Sequence, residues 1–189
     1  MGADCVQNLQ NFQNQKHTHM SEMRMKGLAG IDMADIPVGG GVPADVDFTA
    51  VGVTYRDEAT LTEDDPTETE HYSNENDDPE ESDITAGKRK LTFALIDWTP
   101  VALAKFMGGT VTGSGATEKW EAPNQKSKIE KAFRIRSKNG YYITFPRVSF
   151  YAKLDYNLAP SGIAKVMVAG TIMTPTGTGV KSVIKGTLA

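Results

Sequence analysis

The chain has 189 residues, 39% of them hydrophobic, with 20 Lys and Arg against 24 Asp and Glu and a formal net charge of −4. That length suits one domain, or one domain with an arm. The single cysteine, Cys5, excludes an intrachain disulfide, and no apolar run reaches the ~18 residues of a membrane-spanning helix. No basic stretch followed by an apolar one opens the chain, so the expectation is a soluble product made in the cytoplasm, without a membrane anchor.

In chain order, residues 1–26 are rich in Gln, Asn, His and Met. Val6, Leu9 and Phe12 fall near helical spacing, yet the apolar content is too small for an independent helix, and a mobile arm is expected. His17 and His19 lack a third ligand and read as a solvated tail, and Cys5 as an incidental thiol. Residues 27–45 contain Pro37, Gly39-Gly40-Gly41 and Pro43, and read as a loop or extended entry. The triple glycine has no following Lys-Ser or Lys-Thr, so it is not a phosphate loop. These features divide the chain into an arm and linker, 1–45, and a β domain, 46–189.

Val46, Phe48, Val51, Val53 and Tyr55 nearly alternate and predict a strand, which Thr60-Leu61-Thr62 extends beyond a bend. Residues 57–83 hold thirteen carboxylates and no Lys or Arg, and the rest of the chain carries all twenty basic residues against eleven acidic ones. Within this acidic stretch, Thr67 to Tyr72 alternates Thr and Glu as a solvent-facing strand does. Residues 74–83 read as an exposed acidic loop around Pro79, with disorder and a polar hairpin as competing readings. The EF-hand spacing and its glycine are missing, which argues against specific calcium binding. Lys88-Arg89-Lys90 follows at once, and such separated charge suits stacking against copies of the same chain.

Leu91, Phe93 and Leu95 alternate with Thr92, Ala94 and Ile96 in the clearest strand of the chain. Asp97 or Thr99 then caps a helix over 99–107, with Pro100 in its first turn and Gly108-Gly109 as its stop. A short hairpin follows around Gly113-Ser114-Gly115. Ala132–Arg136 and Tyr141–Phe145 flank Asn139-Gly140, the strongest hairpin signal present. Pro146 predicts a bulge, a bend or an edge before Val148–Leu154. Ile163–Met173 is the last long strand, and Val180–Leu188 adds a short one. The expected fold is mainly β: a β-sandwich or partly closed β-barrel with one flanking short α-helix and a long acidic hairpin or loop.

Chemistry-bearing motifs are missing. There is no G-x-S-x-G, H-E-x-x-H or paired C-x-x-C, and two of the three histidines lie in the tail. The carboxylates lie in an exposed run where burial would not raise a pKa. No catalytic residue, metal or cofactor is expected. Lys126, Lys128, Lys131, Arg134, Arg136 and Lys138 cluster near Phe133, Tyr141 and Tyr142. A groove for single-stranded nucleic acid is one reading of this cluster. The other, preferred given the nearby acidic segment, is a complement to that segment on a neighbouring copy.

The order strand, acidic hairpin, strand, short helix, Gly-Gly and two β-hairpins resembles the tail tube proteins of long-tailed bacteriophages. The likeness runs from Val46 to Pro175. It rests on Leu91–Asp97 with Thr99–Val111, on Lys138–Leu154, and on the closing strand Ala164–Pro175. Tube proteins of contractile injection and type VI secretion systems are similar in fold. The resemblance implies rings of six copies stacked into a tube through which DNA leaves the capsid without tight binding. It also implies other tail proteins as partners, the virion tail as location after assembly in the host cytoplasm, and no catalytic residues. On this reading Glu63, Asp64, Glu68 and Glu70 are candidate lumen carboxylates. Glu75, Asp77, Asp78, Glu80, Glu81, Asp83, Lys88, Arg89, Lys90, Arg134 and Arg136 are candidate contacts between subunits or rings. The alternatives are a single-strand nucleic-acid-binding β-barrel using 126–142, or a calcium- or carbohydrate-binding β-sandwich of the virion surface.

Overall fold

The computed structural model describes residues 25–74, 77–125, 128–157, 159 and 162–188. Four strands with apolar alternation build its centre: β6 (Arg89–Leu95), β9 (Ile129–Ser137), β10 (Tyr141–Asp155) and β11 (Lys165–Ile172). The earlier strands are β1 (Leu28–Ala34), β2 (Thr49–Ala50), β3 (Thr60–Glu63), β4 (Thr67–His71) and β5 (Glu81–Thr85). Helix α1 (Pro100–Met107), strands β7 (Thr110–Thr112) and β8 (Lys119–Glu121), and the short β12 (Ile184–Thr187) complete the fold. The main sheet runs β2-β1-β9-β10-β11-β6-β3, with β12 beside the first part of β10. Every pairing is antiparallel.

Period-2 alternation sends one face of each strand inward. Leu91, Phe93 and Leu95 from β6, Phe133 from β9, Val148 and Phe150 from β10, and Val166 and Val168 from β11 are buried together. In the sheet β6 and β9 are separated by β10 and β11, yet the rings of Phe93 and Phe133 lie 5.9 Å apart. The sheet therefore folds over on itself, as in a sandwich. Phe106 of α1 meets Phe93 at 6.3 Å and Phe150 at 6.1 Å, which seats the helix on this cluster.

Local signals behave as expected in α1. Thr99 is its N-cap and accepts from the Ala102 amide at 3.3 Å, and Pro100 opens the first turn. Gly108 ends the helix at φ 72, a left-handed conformation that glycine adopts without steric cost, and donates its amide to Ala104. The β7–β8 hairpin is tied to the same end, because Trp120 Nε1 donates to the Gly108 carbonyl at 2.8 Å. Among the described residues no helix is long and apolar enough to cross a membrane.

Three sequence expectations are corrected. The segment 27–45, read as loop, contains β1, which pairs with β9 from Leu28↔Ser137 to Ala34↔Ala132 and buries Ile31 and Met33. Asp32 in its middle disguises the strand, and Arg136 makes it tolerable there by donating to Asp32 Oδ1 at 2.9 Å. The alternation over Val46–Tyr55 is not one strand. A 3-10 turn at Asp45–Asp47 leads into the two residues of β2, and Val46 and Val53 are exposed. The chain then straps the gap between the two ends of the sheet. Val51 N donates to Ile31 O at 3.0 Å, Ile96 N to Val53 O at 3.0 Å, and Tyr55 N to Ala94 O at 2.8 Å. Finally, the bulge expected at Pro146 is present, but the edge reading is not, because β10 lies inside the sheet between β9 and β11. The register between β9 and β10 shifts between Phe145 and Val148, which is a bulge. The extra residue keeps Phe145 and Val148 both inward despite their odd spacing.

The ring cluster sets the first prediction. Phe133→Ala removes a fully buried ring that touches two others, and is expected to cost about 3–5 kcal/mol in urea unfolding. A cost under about 1 kcal/mol would mean the cluster does not hold the two layers together.

Candidate assembly surface

Strand β3 runs along β6 from Thr60↔Thr92 to Glu63↔Arg89, and Asp64 N then donates to Lys88 O at 2.9 Å. The same two chain segments continue past the sheet as β4 and β5, paired from Thr67↔Thr85 to His71↔Glu81. Thr67, Thr69, Ile84 and Thr85 supply β-branched side chains that favour a strand. The competing readings of this acidic stretch thus resolve as a hairpin. Glu81 and Asp83, expected in a loop, belong to β5, and Asp77, Asp78 and Glu80 lie exposed before it. Glu75 lies outside the described residues, as do Lys126 and the arm with Cys5, His17 and His19.

Every residue of β4 and β5 is exposed. A two-stranded hairpin without a sheet or helix beneath it is marginal in water. Its root is exacting: a Cβ on Gly87 would stand 1.7 Å from the Asp64 carbonyl oxygen. Only glycine lets the returning strand approach that closely.

Register and alternation sort the hairpin into two faces. One carries Glu68, Glu70, Ser82 and Ile84, and Tyr72 continues its parity; the other carries Thr67, Thr69, His71, Glu81, Asp83 and Thr85. On the first face Ser82 Oγ donates to Glu68 Oε1 at 2.5 Å, and the Tyr72 hydroxyl donates to Glu70. That bond to Glu70 raises the Tyr72 pKa. Ile84 is 71% exposed and Tyr72 57% exposed, so the face is apolar as well as acidic. On the second face His71 Nε2 lies 3.6 Å from Asp83.

The four candidate lumen carboxylates divide. Glu63 is paired with Arg89 at 3.0 Å and Asp64 with Lys90 at 2.8 Å. Glu68 and Glu70 meet no Lys or Arg among the described residues, only the hydroxyls of Ser82 and Tyr72. Arg89 and Lys90 thus serve their own chain at the hairpin root, while Lys88 has no ion pair among the described residues.

The basic cluster does not gather into one cationic face. Arg134 is buried, its guanidinium held between the rings of Phe48 at 4.0 Å and Tyr142 at 4.7 Å. It donates to Asp45 Oδ1 at 2.5 Å and to Thr144 Oγ1 at 3.2 Å. Arg136 holds Asp32, Lys131 pairs with Asp35, and Lys128 pairs with Glu130 at 3.0 Å. The sequence shows these charges but not that Asp32, Asp35 and Asp45 fold over Arg136, Lys131 and Arg134. Arg134 and Arg136 are consequently engaged within the chain, and neither is presented to a neighbouring copy's acidic segment.

What the sequence reading missed is apolar. Met25, Leu61, Ile143 and Val183 line open depressions at the end of the body from which the hairpin springs. Leu61, 43% exposed within a short strand of threonines, was the available signal. Among the described residues, no three His, Cys, Asp or Glu side chains are grouped to hold a metal. No family model matches the chain, and no curated protein matches it.

Arg147 Nε donates to Glu130 Oε2 at 2.8 Å beside the β10 bulge. This bond, followed by the one from Lys128, lowers the Glu130 pKa against a smaller opposing effect of burial. A carboxyl whose folded pKa is depressed contributes stability above its unfolded pKa of about 4.3 and loses it as pH falls through the folded value. Glu130→Gln is therefore expected to flatten the fall of the urea midpoint below about pH 4. An unchanged acid limb would show that other carboxylates dominate it.

Proposed function

We propose that this chain is a structural subunit that assembles with copies of itself into rings, stacked as a tube of the phage tail type. One observation carries the reading: a β-hairpin with every strand residue exposed extends the sheet into solvent, dense in carboxylates yet bearing Ile84 and Tyr72. An isolated subunit gains nothing from such an arm, whereas a neighbour that packs on it buries its apolar side chains. The short strands β3 and β12 are natural joining edges, since paired edges no longer invite disordered aggregation. A ring of six copies uses one head-to-tail interface repeatedly, so the two mating surfaces differ and one can be acidic where its mate is basic.

The electrostatics agree with a conduit. A phosphate backbone sticks to a surface in proportion to the Lys and Arg it meets. Arg134 and Arg136 are occupied within the chain, and Glu68 and Glu70 stand without a cationic partner among the described residues. A lumen that presents no free guanidinium from this cluster lets DNA pass without holding it, and the Glu68 and Glu70 charges are left for a neighbouring copy.

Negative-stain electron microscopy of concentrated protein is expected to show rings or tubes with a central hole. A protein that stays strictly monomeric at high concentration overturns the proposal. Replacing residues 67–85 by a short Gly-Ser turn is expected to leave thermal unfolding of the body nearly unchanged and to abolish assembly. Tight, salt-sensitive binding of single-stranded DNA would favour the nucleic-acid-binding reading instead.

A further inference from the structure

The end of the body at the hairpin root is open. Three adjoining depressions of about 390, 430 and 600 Å3 lie there, joined through the shared residues Met25, Leu61, Ile143 and Lys185. Their lining is apolar at Leu28, Leu61, Ile143 and Val183. Lys185 stands on the rim, and Lys138 lies against Gly27 beside it. Neither lysine has a carboxylate within ion-pair distance among the described residues. The mouth is thus an apolar floor edged by the Glu63–Arg89 ion pair on one side and, at Lys185 and Lys138, by amines without an ion pair among the described residues.

The Ile84 face of the hairpin is the chemical inverse: an apolar centre edged by carboxylates. Glu68 and Glu70 are held on that face by the hydroxyls of Ser82 and Tyr72, so their charge is already positioned. The hairpin cannot supply this complement to its own mouth. It continues the β3 and β6 directions away from the body, with every strand residue exposed. A second copy can.

We propose that the β4–β5 hairpin of one copy seats its Ile84 face in the mouth of a second copy. Ile84 enters between Leu61, Ile143 and Val183, and Glu68 and Glu70 meet Lys185 and Lys138. This rests on the tube reading only in taking the partner to be the same chain, and it names the surface that receives the arm. It also accounts for an apolar mouth that stays open at the root of an acidic arm.

The test uses two full-length chains with different tags, both carrying Cys5→Ser, one with Ile84→Cys and the other with Val183→Cys. Mixed under mild oxidation, they are expected to form a disulfide between unlike tags. That bond should form faster than the one between the Ile84→Cys chain and a control chain with Thr117→Cys, an exposed site that lines none of the three depressions. A rate no greater than the control overturns the proposal. Charge reversal gives an independent reading. Lys185→Glu alone and Glu68→Lys alone are each expected to weaken self-association in light scattering, and the double variant to recover much of it. Recovery absent from the double variant, with both singles folded by circular dichroism, also overturns it. Hollow particles without the unlike-tag disulfide would leave the tube standing and remove this contact. The disulfide in a sample that never forms hollow particles would keep the contact and remove the tube.

Discussion

Edge-to-face contact among four phenylalanine rings holds the two layers of this protein against each other. Phe133 touches Phe93 across the interior at 5.9 Å and Phe150 on the neighbouring strand at 5.3 Å, and Phe106 of the helix closes the circuit. Each such pair adds about 0.5–1.5 kcal/mol beyond the area it buries. The geometry has consequences elsewhere. Because β6 must lie over β9, the sheet has to curve, and the bulge at Pro146 lets β10 curve while keeping Phe145 and Val148 inside. The strap from Val51 to Tyr55 then spans the gap between β1 and β6 that the curvature leaves.

A second layer of order lies on the outer side of β1, β9 and β10. Arg134 and Arg136 stand there with Asp45, Asp32, Thr144, Phe48 and Tyr142. Stripping water from a guanidinium is costly unless its donors and its flat faces are both met. Both are met here, by a carboxylate and a hydroxyl at the edge and by two rings above and below. The arrangement anchors the irregular segment 44–50 to the sheet. It also takes out of circulation charges that would otherwise draw a polyanion.

The hairpin stands in tension with this economy. The body pairs Arg134, Arg136 and Glu130 within the chain, whereas the arm leaves carboxylates, Ile84 and Tyr72 to solvent. Like charges on one small surface repel, and a pair of strands alone has little to oppose that repulsion. An element of this kind sits at the low-stability end of a structure, where binding partners find it easily. The open mouth at its root is the matching incompleteness of the body. Arm and mouth both leave apolar side chains to solvent, and the proposed contact between copies would cover both.

Much of this was legible in the residues themselves. Alternation announced β6, β9, β10 and β11, Thr99-Pro100 and Gly108 bounded the helix, and Asn139-Gly140 marked the tightest turn, because each signal acts within a few residues of chain. The Thr/Glu alternation of Thr67–His71 kept the hairpin in view for the same reason. Folding alone decided the rest. Asp32 hides a strand until Arg136 arrives from 104 positions away, Val46 to Tyr55 alternates like a strand but is used as a strap, and the basic cluster dissolves into separate pairs. A charge in sequence has a sign but no partner, and which carboxylate meets it is settled only when distant strands are laid side by side.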